Sequence, residues 1–337
     1  MKRIYFDAAA TTPLNKGVLR ELRRDLKRLY GNPSSLYLEG RTADYFVDLA
    51  RNKISLYLGC EPSEIFFTSG ASESNSWVAK CSRYQLVATK DSHSSLDNFK
   101  DVERDISKKI LMSFPLVNNE TGKVNYEMLK KVKRCHLDIT QALGKVKIDL
   151  HSNKKIKFAS ASAHKIGGLK GCGILYIRKS EQRFMKSLID GHQENGLRGG
   201  TENVLGIISF GEAMEKTYKN WDKNVSKVKR LVDGLYEDLF SCDIYKIQKN
   251  NNIINLTFKK LQASTAVAMF DNFGVCVSAG SACNSGDDKP SQALIEAGYN
   301  EDEALRTIRI SLSPNNHKWE CKKFVKICKH IIDYLEN

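Results

Sequence analysis

Short apolar segments of strand length recur along the first half of this chain and alternate with segments of helical spacing. Helices are predicted at 16–29, at 39–58 and from about residue 72. Strands are predicted at 64–68, 84–89, 108–116, 134–139, 155–161 and 173–178. This alternation predicts an α/β domain whose central sheet is mostly parallel.

Beyond Thr201 the pattern changes to long helical segments followed by short strands. The segment 202–240 is predicted to be helical. The later elements are predicted as strands at 243–248, 252–258, 274–278 and 307–312 and as helices at 263–272 and 317–335. We therefore predict a smaller α+β domain after the first one, with bounds of 15–210 for the larger domain and of 211–337, joined by 1–14, for the smaller.

The composition argues against several classes of protein. No apolar run approaches the length of a membrane span, and Asp7 interrupts the apolar residues near the amino terminus, so we expect a soluble, cytoplasmic protein without a signal peptide. The nine cysteines are odd in number and include no C-x-x-C pair. This usage argues against a disulfide framework or a zinc site and fits a reducing compartment. No metal is expected.

The chain is strongly basic, with 53 Lys and Arg residues against 39 Asp and Glu residues and a net charge of +14. Such an excess raises the affinity for polyanions, RNA among them. The lysines are spread along the sequence, which is typical of solvated helix faces. We favour that interpretation, and direct binding of nucleic acid stays open as the alternative.

Two short segments, taken together, indicate covalent chemistry. Lys165 follows Ser162 and His164 at a predicted strand end, and a lysine there can form a Schiff base with a carbonyl cofactor. Cys283 lies among Ser, Gly and Ala residues in a predicted loop, which leaves its thiol open to act as a nucleophile. A surface lysine is the alternative for Lys165 alone. The pair predicts cofactor chemistry on an amino acid, with the thiol taking up the product atom.

Four further positions fit a phosphorylated ring cofactor and its substrate, and each has a structural alternative. The segment 69–72 turns from a strand into a helix and offers backbone N–H groups and the Ser72 hydroxyl to a phosphate, or it is an ordinary helix N-cap. Asp138 ends a strand and pairs with a protonated ring nitrogen or caps a helix. His93 stacks on the ring or caps a loop. Arg309 binds a substrate carboxylate or forms a structural ion pair.

In their order, these segments and others between them resemble the class V aminotransferase superfamily and, within it, the cysteine desulfurases of the NifS/IscS type. The matching segments run from residue 5 to about 313, nearly the whole chain. They are Tyr5–Asp7 with Ala10–Pro13, Gly31–Ser35, Thr68–Ser74, Val117–Gly122, Asp138 with Gln141, Ser162–Lys165, Gln193–Gly196 with Arg198 and Gly200–Thr201, Ser278–Ser285, and Arg309 with Ser311. The segment around Cys283 resembles the group with a long cysteine loop.

The resemblance implies the type I fold of transferases that use pyridoxal 5′-phosphate. It implies that Lys165 holds the cofactor covalently and that His93 stacks on the ring. The other implied cofactor contacts are Asp138 at the ring nitrogen, Gln141 at the phenolic oxygen, Asn119, and the phosphate ligands Ala71, Ser72, Ser162, His164 and, from the second subunit of a homodimer, Thr201. Asn32, Asn119 and Arg309 would orient the substrate carboxylate.

The implied reaction converts L-cysteine to L-alanine and leaves the sulfur as a persulfide on Cys283. A protein acceptor would then take the sulfur for iron–sulfur cluster assembly or tRNA thiolation. Two alternatives stay open. One is another pyridoxal-phosphate enzyme on the same scaffold, such as a selenocysteine lyase, a cysteine C–S lyase or an aminotransferase. The other is an inactive basic protein that binds RNA or a partner, against which stand Lys165, Asp138, His93 and Cys283, because a binding module does not need all four.

The chain departs from the family pattern at several points. Tyr37 stands where a histidine is usual, Ile139 where a small residue is usual, and Ala163 where a glycine is usual. The segments on either side of Asn119 are compact, so we expect trimmed helices on one face of the larger domain. The extended tail with which many relatives dock an iron–sulfur scaffold is not expected, and with the net charge of +14 this leaves room for a dedicated acceptor.

Overall fold

The computed structural model describes residues 3–103, 105, 107–280 and 289–336. The strands in these residues are β1 Ile4–Tyr5, β2 Ile65–Thr68, β3 Gln85–Ala88, β4 Ile110–Pro115, β5 Cys135–Asp138, β6 Ile156–Ser162, β7 Gly173–Ile177, β8 Lys246–Asn250, β9 Ile253–Thr257, β10 Val275–Cys276, β11 Ser278–Ala279 and β12 Thr307–Ser311. The helices are α1 Lys16–Asp25, α2 Leu38–Leu58, α3 Ala71–Cys81, α4 Tyr126–Lys131, α5 Lys179–Gln182, α6 Val204–Lys219, α7 Trp221–Leu239, α8 Ala263–Asn272, α9 Gln292–Glu296, α10 Glu301–Leu305 and α11 Lys318–Glu336.

The chain divides into two compact units. The larger unit comprises Pro13–Val117 and Asn125–Asn220, and the smaller unit comprises Met1–Thr12, Asn118–Val124 and Trp221–Asn337. The predicted domains, 15–210 and 211–337 joined by 1–14, differ in their bounds from these two units. That the predicted domains are separate domains stays a prediction.

The larger unit is built on a six-stranded sheet with the order β2-β7-β6-β5-β4-β3. Neighbouring strands from β3 to β6 pair in parallel, whereas β7 runs antiparallel to both β6 and β2. Five strands of this sheet therefore point the same way. The predicted α/β fold with a mostly parallel sheet is confirmed.

Helix α3 packs against this sheet, and the packing fixes the position of its amino terminus. Its Trp77 is fully buried and lies edge-on to Phe66 of β2, with 6.2 Å between ring centroids. Trp77 Nε1 donates a hydrogen bond to Lys186 O over 2.7 Å, which satisfies its polar atom. Because only Ser69 and Gly70 separate β2 from α3, this packing holds the amino terminus of α3 at the carboxyl end of β2.

The smaller unit contains two sheets. β1 pairs in parallel with β10, and β11-β12-β9-β8 form an antiparallel sheet. Apolar side chains of α7, α8 and α11 share one core with β9 and β12. Within it, the Phe270 and Phe324 rings stack with centroids 4.9 Å apart, and Phe6 lies 5.6 Å from Phe324.

Helix α1 is shorter than the predicted segment 16–29. It ends at Asp25, and Leu26, which helical spacing places on the buried face, is 54% exposed. Asp25 is buried instead and forms an ion pair with Arg28. The amides of Arg28 and Leu29 both donate to Asp25 O, so the chain turns there and the helical spacing no longer applies.

The part of the chain that the structure describes contains no helix with the length and apolar character needed to cross a membrane. It also contains no group of His, Cys, Asp and Glu side chains that could hold a metal ion.

Candidate active site

The predicted cofactor residues of the larger unit gather along one edge of its sheet. β2, β5 and β6 point the same way, and the segment 69–72, Asp138 and Ser162 stand at their carboxyl ends. His93 follows β3, whose carboxyl end lies at the same edge. Ligand sites of parallel α/β sheets form at the carboxyl edge, so the topology alone explains why these residues meet.

The start of α3 is a cradle of hydrogen-bond donors. Gly70 is the N-cap and has no side chain to close off the amides of the first turn. Ser162, at the end of β6, accepts a hydrogen bond from Ala71 N over 2.8 Å. A Cβ on Gly173 would lie 2.5 Å from Gly70 Cα, so this approach of β7 requires a glycine. With the exposed Ser72, these donors and the helix dipole suit a phosphate.

Asp138 is held by two donors. Its Oδ1 accepts a hydrogen bond from Thr140 N over 2.9 Å, and its Oδ2 accepts one from Asn75 Nδ2 over 3.2 Å. The bond from Thr140 closes a turn, so part of the capping alternative is present. Asn75 Nδ2 also donates to Ser95 Oγ over 3.0 Å. Asn75 thus joins α3, β5 and the segment after β3.

His93 caps the 3₁₀ turn Ser94–Phe99. Its Nδ1 accepts a hydrogen bond from Ser95 N over 3.1 Å. Because Nδ1 is the acceptor, the neutral ring carries its proton on Nε2. The capping alternative is therefore realised, and stacking of His93 on a cofactor ring stays a prediction.

Lys165 ends the 3₁₀ turn Ala163–Lys165 directly after β6 and is half-buried. Burial, together with the charges of Lys165 and Lys170, lowers the pKa of the preceding His164 to about 4. His164 is therefore neutral near pH 7 and can meet a phosphate only through a hydrogen bond. Gln141 is buried, and its Oε1 accepts a hydrogen bond from Lys145 Nζ over 2.8 Å.

A row of three hydrogen-bonded side chains crosses the sheet two residues before Asp138. The buried His136 of β5 lies between Ser113 of β4 and Ser160 of β6, with 2.7 Å from each ring nitrogen to the nearer Oγ. Burial lowers the pKa of His136, which keeps the ring neutral. Because side chains two residues apart share a face of a strand, the row supports the strand segment that carries Asp138.

Thr201 is exposed and follows a loop with an unusual backbone. Glu194 and Asn195 have φ of 47° and 58°, in the left-handed region. Glu194 Oε1 lies 2.8 Å from the Arg51 guanidinium, and its Oε2 accepts a hydrogen bond from Phe67 N over 2.9 Å. This buried ion pair holds the strained loop against α2 and β2.

The predicted substrate residues are distributed over both units. In the smaller unit, Arg309 is buried, its NH2 lies 2.8 Å from Asp7 Oδ1, and its NH1 donates to Asn119 O over 2.9 Å. The ion-pair alternative is therefore present, and binding of a carboxylate by Arg309 and Asn119 stays a prediction. In the larger unit, Asn32 is exposed, and its Oδ1 accepts a hydrogen bond from Ser34 N.

Cys283, with the rest of residues 281–288, lies outside the described residues. Gly280 and Ser291, on either side of this segment, both lie close to the carboxylate of Glu120. Ser291 Oγ donates to Glu120 Oε2 over 2.5 Å, and a Cβ on Gly280 would lie 3.6 Å from that oxygen. The nucleophilic role of Cys283 therefore rests on the sequence.

Burial lowers the reactivity of several other cysteines. It raises the pKa of Cys135 and Cys321 to about 12, and it also raises the pKa of Cys60 and Cys172. Thiolate is the nucleophilic form, and these thiols hold little of it near pH 7. They behave as the small core residues that the sequence predicts for most of the cysteines.

Three polar residues that shape this region have no role in the sequence analysis. They are Asn75, Arg51 and Glu73, whose carboxylate lies 2.9 Å from Arg198 Nε. Helical spacing places Asn75 one turn after Ala71 on the same face of α3, and this was the available signal. The partners of Arg51 and Glu73 come from distant segments, which a single sequence does not indicate.

Comparison with known proteins identifies the family. The family model described as Aminotransferase class-V matches residues 4–94 and 86–324, so the chain belongs to the class-V aminotransferases. A cysteine desulfurase IscS from Methanosarcina thermophila is 30% identical, with 100% of this chain and 93% of that protein aligned. Another, from Dictyoglomus turgidum, is 31% identical, with 99% and 96% aligned. Within its family, the chain groups with the cysteine desulfurases.

Solved structures agree with this assignment. A NifS-like protein from Rickettsia africae superposes with a TM-score of 0.88 at 28% identity, covering 98% of this chain and 99% of that one. A structure described as SspA in complex with cysteine has a TM-score of 0.72 at 28% identity, covering 93% and 100%. The predicted fold and family are confirmed, and the relatives do not favour the alternative functions.

The family generally depends on pyridoxal 5′-phosphate, and the donor set at the sheet edge fits this group. The hydroxyl of Ser162, the neutral imidazole of His164 and the first amides of α3 suit a phosphate. The carboxylate of Asp138 suits a protonated ring nitrogen, and the Lys165 amine suits an aldehyde.

Proposed function

We propose that this chain converts L-cysteine to L-alanine with bound pyridoxal 5′-phosphate and carries the sulfur as a persulfide on Cys283. The observation that supports this most is the meeting of Lys165, Asp138 and the amino terminus of α3 at one edge of the sheet. The likeness to a structure described as a complex with cysteine supports the substrate.

Each predicted cofactor residue would contact one part of pyridoxal 5′-phosphate. Asp138 keeps the ring nitrogen protonated, and His93 covers the ring. The remaining contacts are Gln141 and Asn119 at the ring substituents, Ala71, Ser72, Ser162 and His164 at the phosphate, and Thr201 from the second subunit of a homodimer. When bound, the cofactor stores the electron pair that the substrate releases.

The chain's own residues supply the proton transfer and the nucleophile. Lys165 removes the proton from the substrate Cα. The Cys283 thiolate attacks the substrate sulfur, so that an S–S bond forms while the Cβ–S bond breaks. L-cysteine and the enzyme thiol thus give L-alanine and an enzyme persulfide without an external oxidant or reductant. Asn32, Asn119 and Arg309 orient the substrate carboxylate.

The persulfide then passes to a protein acceptor in the cytoplasm, for iron–sulfur cluster assembly or for tRNA thiolation. An acceptor is supported by the chemistry itself, because Cys283 cannot attack a second substrate until its sulfur has been removed.

Release of L-alanine and sulfide from L-cysteine tests this proposal. The purified full chain, with cofactor and a thiol reductant, is expected to release both in equal amounts. Lys165→Ala should abolish both products. Cys283→Ala should keep the yellow colour of the bound cofactor and lose turnover, whereas the matched control Cys81→Ala should match wild type. Undiminished turnover in Cys283→Ala would indicate a lyase or a transaminase, and a colourless, inactive wild type would rule out the enzyme.

A further inference from the structure

A basic pocket lies at the opposite edge of the six-stranded sheet. Its volume is about 350 Å³, and its lining includes one carboxylate, Glu181, and one aromatic ring, Tyr84. Its cationic side chains are Arg83, Lys109, Lys133, Arg134, Lys154, Lys155 and Lys157. We call this lining the amino-edge pocket.

The topology of the sheet explains why these cations meet. Arg83, Lys109, Arg134 and Lys155 each stand one or two residues before a strand, namely β3, β4, β5 and β6 in turn. These four strands are mutually parallel, so their amino ends lie at one edge. The candidate active site follows the carboxyl ends, and the amino-edge pocket is therefore a separate site of the larger unit.

Most of the positive charge in the pocket is not balanced. Glu181 meets two of the cations, with 2.9 Å to Arg83 NH2 and 3.7 Å to Lys157 Nζ. The side chains of Lys109, Lys133 and Lys154 are exposed and have no hydrogen bond or ion pair among the described residues. Clustered like charges repel one another, and an anionic ligand would relieve that repulsion.

The lining favours phosphates over bases. Arginine forks and lysine ammonium groups are the usual partners of phosphate oxygens. Tyr84 is only 8% exposed, the Arg83 and Arg134 guanidinium carbons lie 5.1 Å and 5.6 Å from its ring centroid, and its hydroxyl donates to Glu181 over 2.9 Å. The lining therefore offers no open aromatic ring on which a base could stack.

We propose that the amino-edge pocket binds the phosphodiester backbone of nucleic acid without sequence preference. Phosphate contacts position a nucleic acid but do not read its bases, and their strength depends steeply on salt. This site is independent of the proposed desulfuration, because none of its residues belongs to the candidate active site.

The test is fluorescence anisotropy of a labelled uridine oligonucleotide with the full chain, titrated at several NaCl concentrations. The variant K109Q/K133Q/K154Q removes the three unpaired charges. It should lower the affinity at low salt at least tenfold, and it should reduce the slope of log K against log salt by about 2, which is about 0.7 for each lost contact. A cytidine oligonucleotide and a deoxyuridine oligonucleotide should bind wild type as the uridine one does.

Matched variants separate the pocket from net charge. K229Q/K260Q/K322Q removes the same charge from exposed lysines outside the lining and should change the affinity less than about threefold. K109R/K133R/K154R keeps the charge and should restore binding. Circular dichroism and turnover with L-cysteine should be unchanged in all three variants. Equal losses in both glutamine variants, no binding by wild type at 50 mM salt, or equally effective competition by polyglutamate would overturn the proposal.

Discussion

Asn75 links three segments through a single amide, because its Nδ2 donates to both Asp138 and Ser95. Its Oδ1 is buried and has no hydrogen-bond partner among the described residues, so the side chain is held only by the two hydrogen bonds that its Nδ2 donates. The position of Asp138 therefore depends on a neighbour that the proposed chemistry does not use directly.

Replacing Asn75 tests this dependence. Asn75→Ala leaves Asp138 Oδ2 without one of its donors, and we expect a loss of about 1–3 kcal/mol in the free energy of unfolding. Urea denaturation measures it. Lys80→Ala, at an exposed position of the same helix, should change stability by less than about 0.5 kcal/mol. Equal stability of Asn75→Ala and wild type would show that the two hydrogen bonds contribute nothing.

Burial of His136 should make the free energy of unfolding depend on pH. Its pKa is lowered from an ordinary 6.5 in the unfolded chain by burial in the folded one. Between these two values the unfolded state binds more protons, so stability falls as the pH drops below 6.5, and His164 acts in the same direction. Unfolding in urea at pH 7 and pH 5 should show this loss.

Two variants identify the source of that loss. His136→Gln cannot titrate and should lose less stability between pH 7 and pH 5 than wild type. His192→Gln, at an exposed position, should follow the wild-type profile. A pH profile of His136→Gln parallel to that of wild type would contradict the assignment.

The turn that begins α3 packs against β7 through Gly70 and Gly173, and this contact positions the hydrogen-bond donors that suit a phosphate. A Cβ on Gly173 would lie 2.5 Å from Gly70 Cα and 2.7 Å from Ala161 O, both of which are backbone atoms. Gly70 cannot move without shifting the turn that begins α3, and Ala161 O cannot move without shifting β6.

Gly173→Ala should therefore destabilise the protein by about 1–3 kcal/mol and weaken retention of pyridoxal 5′-phosphate on dialysis. Gly234→Ala is the matched control, because a Cβ at that position of α7 meets nothing within 4 Å. The control should stabilise by about 0.5–1 kcal/mol. Thermal unfolding and the cofactor absorbance measure both effects. Similar behaviour of the two variants would contradict the close-approach argument.

The Arg51–Glu194 pair anchors the loop that leads to Thr201. Arg51→Leu would leave a buried carboxylate without its cation, and we expect a loss of about 3–5 kcal/mol in the free energy of unfolding. Arg20→Leu, on an exposed position of α1, should cost much less. Urea denaturation distinguishes them, and equal stabilities would show that the loop is held by other contacts.

Strand ends were the predictable part of the site, and side-chain partners were not. The alternation of apolar segments places Asp138 and Ser162 at strand ends, and both positions are confirmed. The predicted end of α1 at residue 29 was wrong, because the chain turns at Asp25, whose carbonyl oxygen accepts hydrogen bonds from Arg28 N and Leu29 N. The sequence does not indicate the role of Arg51, because its partner Glu194 is far away along the chain, whereas Asn75 is indicated only by its place one turn after Ala71.

One sheet of the larger unit supplies two chemically different edges. The carboxyl edge carries the predicted cofactor residues, and the amino edge carries the cations of the amino-edge pocket. The sequence predicted the mostly parallel sheet, and its composition gives the net charge of +14. It did not predict that seven of the cations share one pocket, because this depends on the order of the strands.

Peptide mapping by mass spectrometry shows whether sulfur from L-cysteine passes to Cys283. The holoenzyme is mixed with L-cysteine without reductant, its thiols are alkylated, and peptides covering the nine cysteines are compared. We expect one additional sulfur atom on Cys283 and none on the other eight cysteines. L-alanine formation without additional sulfur on Cys283, or with the sulfur on another cysteine, would contradict it.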